Sequence, residues 1–455
     1  MRWESKSAFT VIAFTIVFSA LAYGTVHQSI VAFFYLLTAI AAIFIAIGGF
    51  RGKFRIEFHP MMIPLAGAAI YGFIQVIPFG QLAEIAGVRG IEQTISLDPF
   101  QTRLASIHFT ALLIFFWVLL SVIDDEARLR KLAGIIGVFG FLYAFFAILQ
   151  SVLSPEKIYG IYESRFASPY GSFVSRHNYA AYILMALSIP LGLLFTGAIE
   201  KDKRLLLITA AAIMGSSLLL SGSRGGLVSA VAAVIFLLIL TTGNESRKKF
   251  LVKAGLASLL GIAILIGAIF AGGENTLTRV AETASSTDVS TGRWHIWDVT
   301  YRIIAEGFPF GTGIGAYGIA FTRFDTNGGM DRVEQAHNDF LQAVSDAGVI
   351  GIILGGIFLY WFIRTGIKAL KASKGYRRGI AVGAFAGCFG VVVHSFFDFV
   401  LHTTAISVLF LSLLALLIKS AELPQDEKTA VSMRKSKRHR TRRVEYLPRQ
   451  SELID

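Results

Sequence analysis

One cysteine, Cys388, stands in 455 residues, so the chain can make neither an intramolecular disulfide nor a cysteine-based metal site. Charge is scarce as well. Charged side chains make up 16% of the chain against 54% hydrophobic ones, and the mean hydropathy of +0.63 excludes a soluble globular protein. Also missing are a Gly-rich Walker loop and a Gly-x-Ser-x-Gly elbow, which removes the nuclei of P-loop nucleotidases and α/β-hydrolases. Gly313-Ile314-Gly315-Ala316-Tyr317-Gly318 does match the dinucleotide fingerprint GxGxxG letter for letter. That fingerprint needs a buried strand before it, and Phe308-Pro309-Phe310 stands there instead, so the stretch reads as a flexible turn between two helices.

What the chain has in quantity is apolar runs. They fall near 8 to 24, 29 to 49, 61 to 79, 106 to 123, 131 to 153, 179 to 198, 204 to 220, 225 to 242, 250 to 271, 346 to 364, 379 to 398 and 403 to 418. A run of about 20 apolar residues crosses roughly 30 Å of hydrocarbon, so the expected fold is all-α and polytopic, with about twelve transmembrane helices. Nine spans occupy 1–271 and three occupy 346–418, separated by a loop at 272–345 with helices of its own and followed by a basic tail at 419–455. Ala20-Leu21-Ala22 resembles a signal-peptidase site, but eleven further spans favour an uncleaved first helix.

The basic residues orient the bundle. With the N-terminus in the cytoplasm, 30 of the 42 Lys and Arg fall in inside segments and 11 outside, as the positive-inside rule requires. Both termini are then cytoplasmic and the large loop is outside. The net charge of +12 draws heavily on Arg434, Lys435, Lys437, Arg438, Arg440, Arg442 and Arg443, a cluster read as a topology anchor beside anionic lipid rather than as a nucleic-acid surface. That tail has no core-forming pattern and is expected to be disordered. Outside, ten of the eleven bases are Arg, whose planar fork grips phosphate bidentately.

Several outside residues could carry chemistry. Arg224, in Ser221-Gly222-Ser223-Arg224-Gly225-Gly226, precedes a helix expected to begin near Leu227, where free N–H groups and the helix dipole favour an anion. It reads equally as a snorkelling arginine at the membrane interface. Arg293 opens a second helix, along which Trp294, Trp297, Tyr301 and Ile304 recur as a stripe suited to the interface or to packing. The preceding stretch, Glu274 to Gly292, is rich in Ser, Thr and Ala and is expected to be mobile. Val333, Ala336, Phe340, Leu341, Val344 and Ala347 mark the apolar face of a third helix, with His337 and Asn338 largely off that face. An unperturbed histidine titrates near about 6.5 and can act as a general base, although a lone histidine at a helix end is more often structural. Arg165, Arg176, His177, Asn178, His394, Asp398 and His402 join the outside polar set. His337, His394 and His402 lack the short spacing of a zinc motif, so no metal is assigned.

In order along the chain, Ser223-Arg224-Gly225-Gly226, Gly292-Arg293 with Trp297, Gly311-x-Gly313-x-Gly315, His337-Asn338-x-x-Leu341 with Gly348 and Gly351, and His394-Ser395-x-x-Asp398 resemble the motifs of the O-antigen ligase and polymerase family, multi-span glycosyltransferases of the bacterial envelope. The resemblance covers most of the chain and is strongest from about 204 to 415. It implies a GT-C-like bundle in the cytoplasmic membrane and a glycan donor carried on undecaprenyl diphosphate. The acceptor would be a lipid A core for a ligase or a second lipid-linked glycan for a polymerase. It also implies that Arg224 and Arg293 grip the diphosphate, and that His337 deprotonates the acceptor in an inverting displacement with no cofactor and no need for a metal. Arg176, Asn338, Asp398 and His394 would contact donor or acceptor. Twelve spans with one large late loop favour the ligase. A transporter or flippase for lipid-linked sugars, the alternative of another class, would place polar groups at mid-membrane and show related halves, and neither is seen in the sequence.

Overall fold

The computed structural model describes residues 3–51, 57–82, 87, 89–164, 167–242, 251, 253–258, 261–262, 264, 266, 293–326, 328 and 333–424. The predicted mobile stretch from Glu274 to Gly292, half of the run at 250 to 271 and the tail beyond residue 424 lie outside the described residues.

The described chain is an all-α bundle. Its helices are α1 (Trp3–Leu21), α2 (Gln28–Phe50), α3 (Ile63–Gln75), α4 (Pro99–Val122), α5 (Glu126–Leu153), α6 (Arg176–Phe195), α7 (Lys201–Leu220), α8 (Arg224–Thr242), α9 (Trp294–Gly307), α10 (Tyr317–Phe324), α11 (Asp339–Ala372), α12 (Gly375–His394) and α13 (Thr404–Glu422). Two two-residue hairpins are the only sheets among the described residues, β1 (Gly80–Gln81) with β2 (Glu92–Gln93) and β3 (Lys157–Ile158) with β4 (Tyr162–Glu163). Among the described residues, ten helices are long and apolar enough to cross a membrane. The third expected span is shorter, a 3-10 turn and α3 covering Pro60–Gln75, because Pro78 disfavours helix at the residue before it and the chain turns away.

Burial sorts the helices into a centre and a lipid-facing rim. α6 and α13 are each buried over 94% of their apolar windows, whereas α8 and α11 are buried over only 22% of theirs and still carry exposed Val231, Ile235, Ile352 and Tyr360. A helix apolar all round and half exposed belongs in hydrocarbon. At the centre α6 and α12 approach backbone to backbone: a Cβ on Gly192 would lie 2.4 Å from the Gly379 carbonyl oxygen. α1 is integral to this core, with Ala8, Ile12 and Ala20 fully buried.

Alternation of the spans gathers one set of connections at one end of the bundle. These are the turn after α1, the segment from α3 to α4, the segment from α5 to α6, the turn before α8, residues 293–338 and the turn from α12 to α13. Two devices hold that end. α9 and α10 share a small core of Val299, Ile303, Tyr317, Ala320, Phe321 and Ala336. The glycine turn after α9 is wedged into a kink of α11 at Gly348 (φ 55°), where the Val349 amide donates to the Pro309 carbonyl at 2.9 Å. A Cβ on Gly348 would sit 2.1 Å from that carbonyl oxygen, so no other residue fits. The turn therefore redirects the chain as expected, but it is clamped rather than flexible. Gln75, fully buried, donates to the carbonyls of Phe310 (3.1 Å) and Asp346 (2.9 Å) and accepts from the Ile314 amide (3.0 Å).

Candidate active site

Four helices begin around one place. Ser175 caps α6 by accepting from the His177 amide at 3.3 Å, and Ser223 caps α8 by accepting from the Gly226 amide at 3.1 Å. Arg293 is itself the N-cap residue of α9. Asn338 caps α11, its Oδ1 accepting from the amides of Phe340 (3.0 Å) and Leu341 (3.1 Å). Unpaired N–H groups and aligned peptide dipoles at such ends favour an anion.

The helix bearing the third motif starts later than its apolar spacing predicts. It begins at Asp339, so Val333 and Ala336 precede it, with Ala336 in the small core beside α9. His337 has φ 50°, a left-handed backbone that costs a non-glycine residue roughly 1–3 kcal/mol and that clusters at functional sites. This conformation puts Ala336 inward, where its carbonyl accepts from Trp297 Nε1 at 3.1 Å, and leaves the His337 side chain 31% exposed at a cavity of about 640 Å³. Arg176, His177, Arg293, Glu334, His337 and Asp398 are among the polar side chains lining it.

Asp398 is the hub of this cavity. Its Oδ1 lies 3.0 Å from His337 Nδ1, and its Oδ2 lies 3.2 Å from an Arg293 Nη and 3.9 Å from His177 Nδ1. Burial would push the Asp398 carboxyl up, but the His337 hydrogen bond and the charge of Arg293 outweigh it and hold the group well below the usual carboxylate range. An ionised carboxylate only accepts, so His337 Nδ1 carries the proton and Nε2 of the neutral ring keeps its lone pair. Phe399 packs edge-on against the ring at 4.8 Å. A carboxylate-held imidazole at a cavity wall, beside two guanidinium groups, can take a proton from a hydroxyl while an anion sits close by.

The loop bearing Asp398 is stitched to the start of α11. Asn338 Nδ2 donates to the Phe396 carbonyl (3.2 Å), the Asp339 amide donates to the Ser395 carbonyl (2.9 Å), and the Asp339 carboxylate accepts from Ser395 Oγ (2.7 Å) and pairs with His402 Nδ1 (2.9 Å). His402 thus belongs to a separate pair, apart from His337. Asn338 supports the site through its cap and the Phe396 contact.

Arg176, Arg293, His337 and Asp398 therefore converge. Arg224 does not line the cavity: it is half-buried at the first residue of α8, joined to the wall through its neighbour Ser223, whose Oγ lies 2.9 Å from His177 Nδ1. His394 is fully buried at the end of α12, neither ring nitrogen has a hydrogen-bonding partner, and the ring packs under the first turn of α8 at Gly225. Its place is beneath the site, not on the cavity surface. On α9, Trp294 (65% exposed) and Tyr301 (58%) face outward, while Val299 and Ile303 on the other side anchor the helix. Sequence reasoning missed Gln75, a single amide at the end of an apolar run, and the His177 link to Ser223.

Residues 209–355 match the family model described as O-antigen ligase, and residues 104–223 match that of a family of unknown function. No curated protein matches the chain. The first match spans Arg224, Arg293, His337 and Asn338 and stops before Asp398, which the fold returns to the same cavity. Over that segment, the chain is similar to the O-antigen ligase family.

Proposed function

We propose that the chain moves a glycan from undecaprenyl diphosphate to an acceptor hydroxyl on the periplasmic face of the bacterial cytoplasmic membrane, and that it acts as a ligase with lipid A core as acceptor. The observation that carries this reading is the His337–Asp398 pair at 3.0 Å in a cavity that Arg293 and Arg176 also line. His337 Nε2 takes the proton of the acceptor hydroxyl, its oxygen attacks the anomeric carbon from the face opposite the diphosphate, and the C–O bond to the diphosphate breaks with inversion. Asp398 fixes the tautomer and meets the imidazolium charge as it forms. The electron pair leaves with the diphosphate, whose growing charge faces the guanidinium groups and the helix N-termini. Nucleotide sugars are not expected outside the cytoplasm, so a donor that carries its own leaving group in the membrane suits this position.

Arg224 has a supporting place in this scheme. It stands at the first turn of α8, one residue from the Ser223 that holds His177, and its fork addresses the diphosphate from beside the cavity. Arg224→Lys keeps the charge and loses the fork; transfer should fall about tenfold or more with membrane insertion unchanged, and full activity would remove Arg224 from the mechanism.

The deciding assay incubates purified protein with a lipid-linked glycan, with and without lipid A core. Product that appears only with the core selects the ligase, and longer lipid-linked chains select the polymerase. Absence of both products would overturn the transferase reading. Against a transporter, the described polar cluster sits at one end of the bundle, and the central helices α6 and α13 carry Ala, Leu, Ile and Ser across the middle rather than a charged path.

A further inference from the structure

Left-handed backbone at a non-glycine residue is confined to two places among the described residues. One is His337. The other four cases, Tyr23, Thr25, Glu156 and Tyr159 (φ 53°, 56°, 67° and 56°), fall together in the turn after α1 and in the segment between α5 and α6. These two stretches bring four rings together. Tyr23 lies 5.5 Å from His27, 5.8 Å from Tyr159 and 5.2 Å from Tyr162, and His27 lies 5.6 Å from Tyr162. Tyr159 is 39% exposed, its hydroxyl donates to the Leu21 carbonyl and its amide donates to Gln150 Oε1 at 2.8 Å, so what it offers a ligand is a fixed ring.

The cluster is tied to the chain segments that flank the cavity. A Cβ on Gly24, between the two strained residues, would lie 2.6 Å from the Phe173 ring and 3.4 Å from Thr403. Ser172 Oγ donates to the Ala20 carbonyl at 2.6 Å, and Thr403 Oγ1 accepts from Asn178 Nδ2 at 2.6 Å. From Tyr162 the same chain segment runs on to Ala167, Ser168, Ser175 and Arg176 in the cavity wall.

We propose that Tyr23, His27, Tyr159 and Tyr162 form a saccharide-binding subsite at the rim of the cavity, holding the glycan of the substrate some way from the bond that reacts. This rests on the glycosyltransferase reading above and extends it. The weakly positive C–H face of a pyranose complements the negative face of an aromatic ring. Glu156, Lys157 and Glu163, all exposed around the cluster, add polar groups of both signs for hydroxyls. A belt of aromatic residues at the lipid headgroups is the competing occupant, and it needs only depth: any backbone placing Tyr at the interface would serve. Four strained residues, each costing roughly 1–3 kcal/mol, instead fix the rings in one shape, and shape is what a ligand reads.

The test compares two donors with the same lipid diphosphate, one carrying a single sugar and one a long glycan. In Tyr162→Ala, and separately in Tyr159→Ala, the long-to-short ratio of kcat/KM should fall about tenfold, the loss of one or two aromatic contacts. Tyr159→Phe, which keeps the ring, should retain the wild-type ratio. An unchanged ratio in both Ala variants overturns the subsite. Tyr162→Trp supplies a second reading: its added fluorescence should respond to free oligosaccharide released from the donor and escape quenching by brominated lipid in vesicles. Strong quenching with no saccharide response assigns the rings to the membrane and overturns the proposal. The single-sugar donor reports transfer by itself, so its failure in the wild type indicts the catalytic reading, whereas oligosaccharide binding to Tyr162→Trp is measured without turnover.

Discussion

At the end of the bundle away from the cavity, basic side chains meet different carboxylates: Arg51 pairs with Glu4 at 2.7 Å, Arg128 with Asp124 at 3.3 Å, Arg130 with Glu126 and Lys419 with Glu57. At the cavity end, Arg293, His337 and His177 all turn to Asp398. Separate pairs fix the ends of particular helices, and each can be lost without disturbing the next. A shared carboxylate couples its partners, so the protonation and position of each depend on the others. One end holds the fold in place, and the other couples its charged groups at the site of the proposed reaction.

The sharpest way to break that contrast is Asp398→Asn. The amide keeps the shape, no longer enforces a proton on His337 Nδ1, and withdraws the charge that meets Arg293. Replacing the carboxylate that orients a catalytic histidine costs about 10⁴ in kcat elsewhere, so a loss on the order of 10³-fold or more is expected here. His337→Ala should reduce turnover more than donor binding, and the double variant should be no slower than the worse single, because the pair acts as one unit. Additive losses would show that Asp398 acts on something other than His337. If His337→Ala mainly abolishes donor binding, that residue belongs to the diphosphate instead.

Acid separates the charge of Asp398 from its shape. The folded-state pKa is depressed below the unfolded value of about 3.9, so ionisation stabilises the fold at pH above that value and the contribution is lost as pH falls through the lowered folded-state value. The part of the Tm gap between wild type and Asp398→Asn that comes from the Asp398 charge should therefore close as pH falls below about 4. A gap that already changes near neutrality would assign the titration to another group.

Gln75→Leu probes the same end without touching the hub. It strips the partner from the Ile314 amide, costing about 1–3 kcal/mol if that group is left buried and unpaired, and removes one of two donors from each of the Phe310 and Asp346 carbonyls, which keep the Tyr71 hydroxyl and the Gly313 amide. Thermal stability should drop clearly. Transfer measured well below the new Tm should fall by less than about tenfold, since the turn reaches His337 indirectly, through the kinked start of α11 and the small core around Ala336. A loss as large as that of Asp398→Asn would make the turn part of the reaction centre.

Most of the spans were readable because apolar runs of membrane length leave little choice, and Arg176, Arg293, His337 and Asp398 stood out as polar residues at their ends. The start of α11 was misread for a definite reason. Val333 and Ala336 continue the helical spacing of Phe340 and Leu341, but they pack under α9 and α10, and the left-handed His337 breaks the path between. Gln75 was illegible because its partners Phe310 and Asp346 stand 235 and 271 residues away. The His177–Ser223 contact spans 46 residues and was hidden in the same way. Local pattern finds where a polar residue sits, whereas its partner is a fact of the packed fold.

The smallest effect on chemistry should come from the far end. Arg51 is 51% exposed and Glu4 is buried, so Arg51→Gln weakens the support of a buried carboxylate and should lower Tm by more than the loss of an ordinary surface pair, which is worth about 0.2–1 kcal/mol. Transfer at a temperature where the variant is fully folded should match wild type, because α1 meets the cavity only through its other end, where Ala20 and Gly24 pack beside Ser172 and Phe173. If kcat falls in step with stability even there, the two ends are mechanically coupled through α1, and the independence inferred from their separate ion pairs is lost.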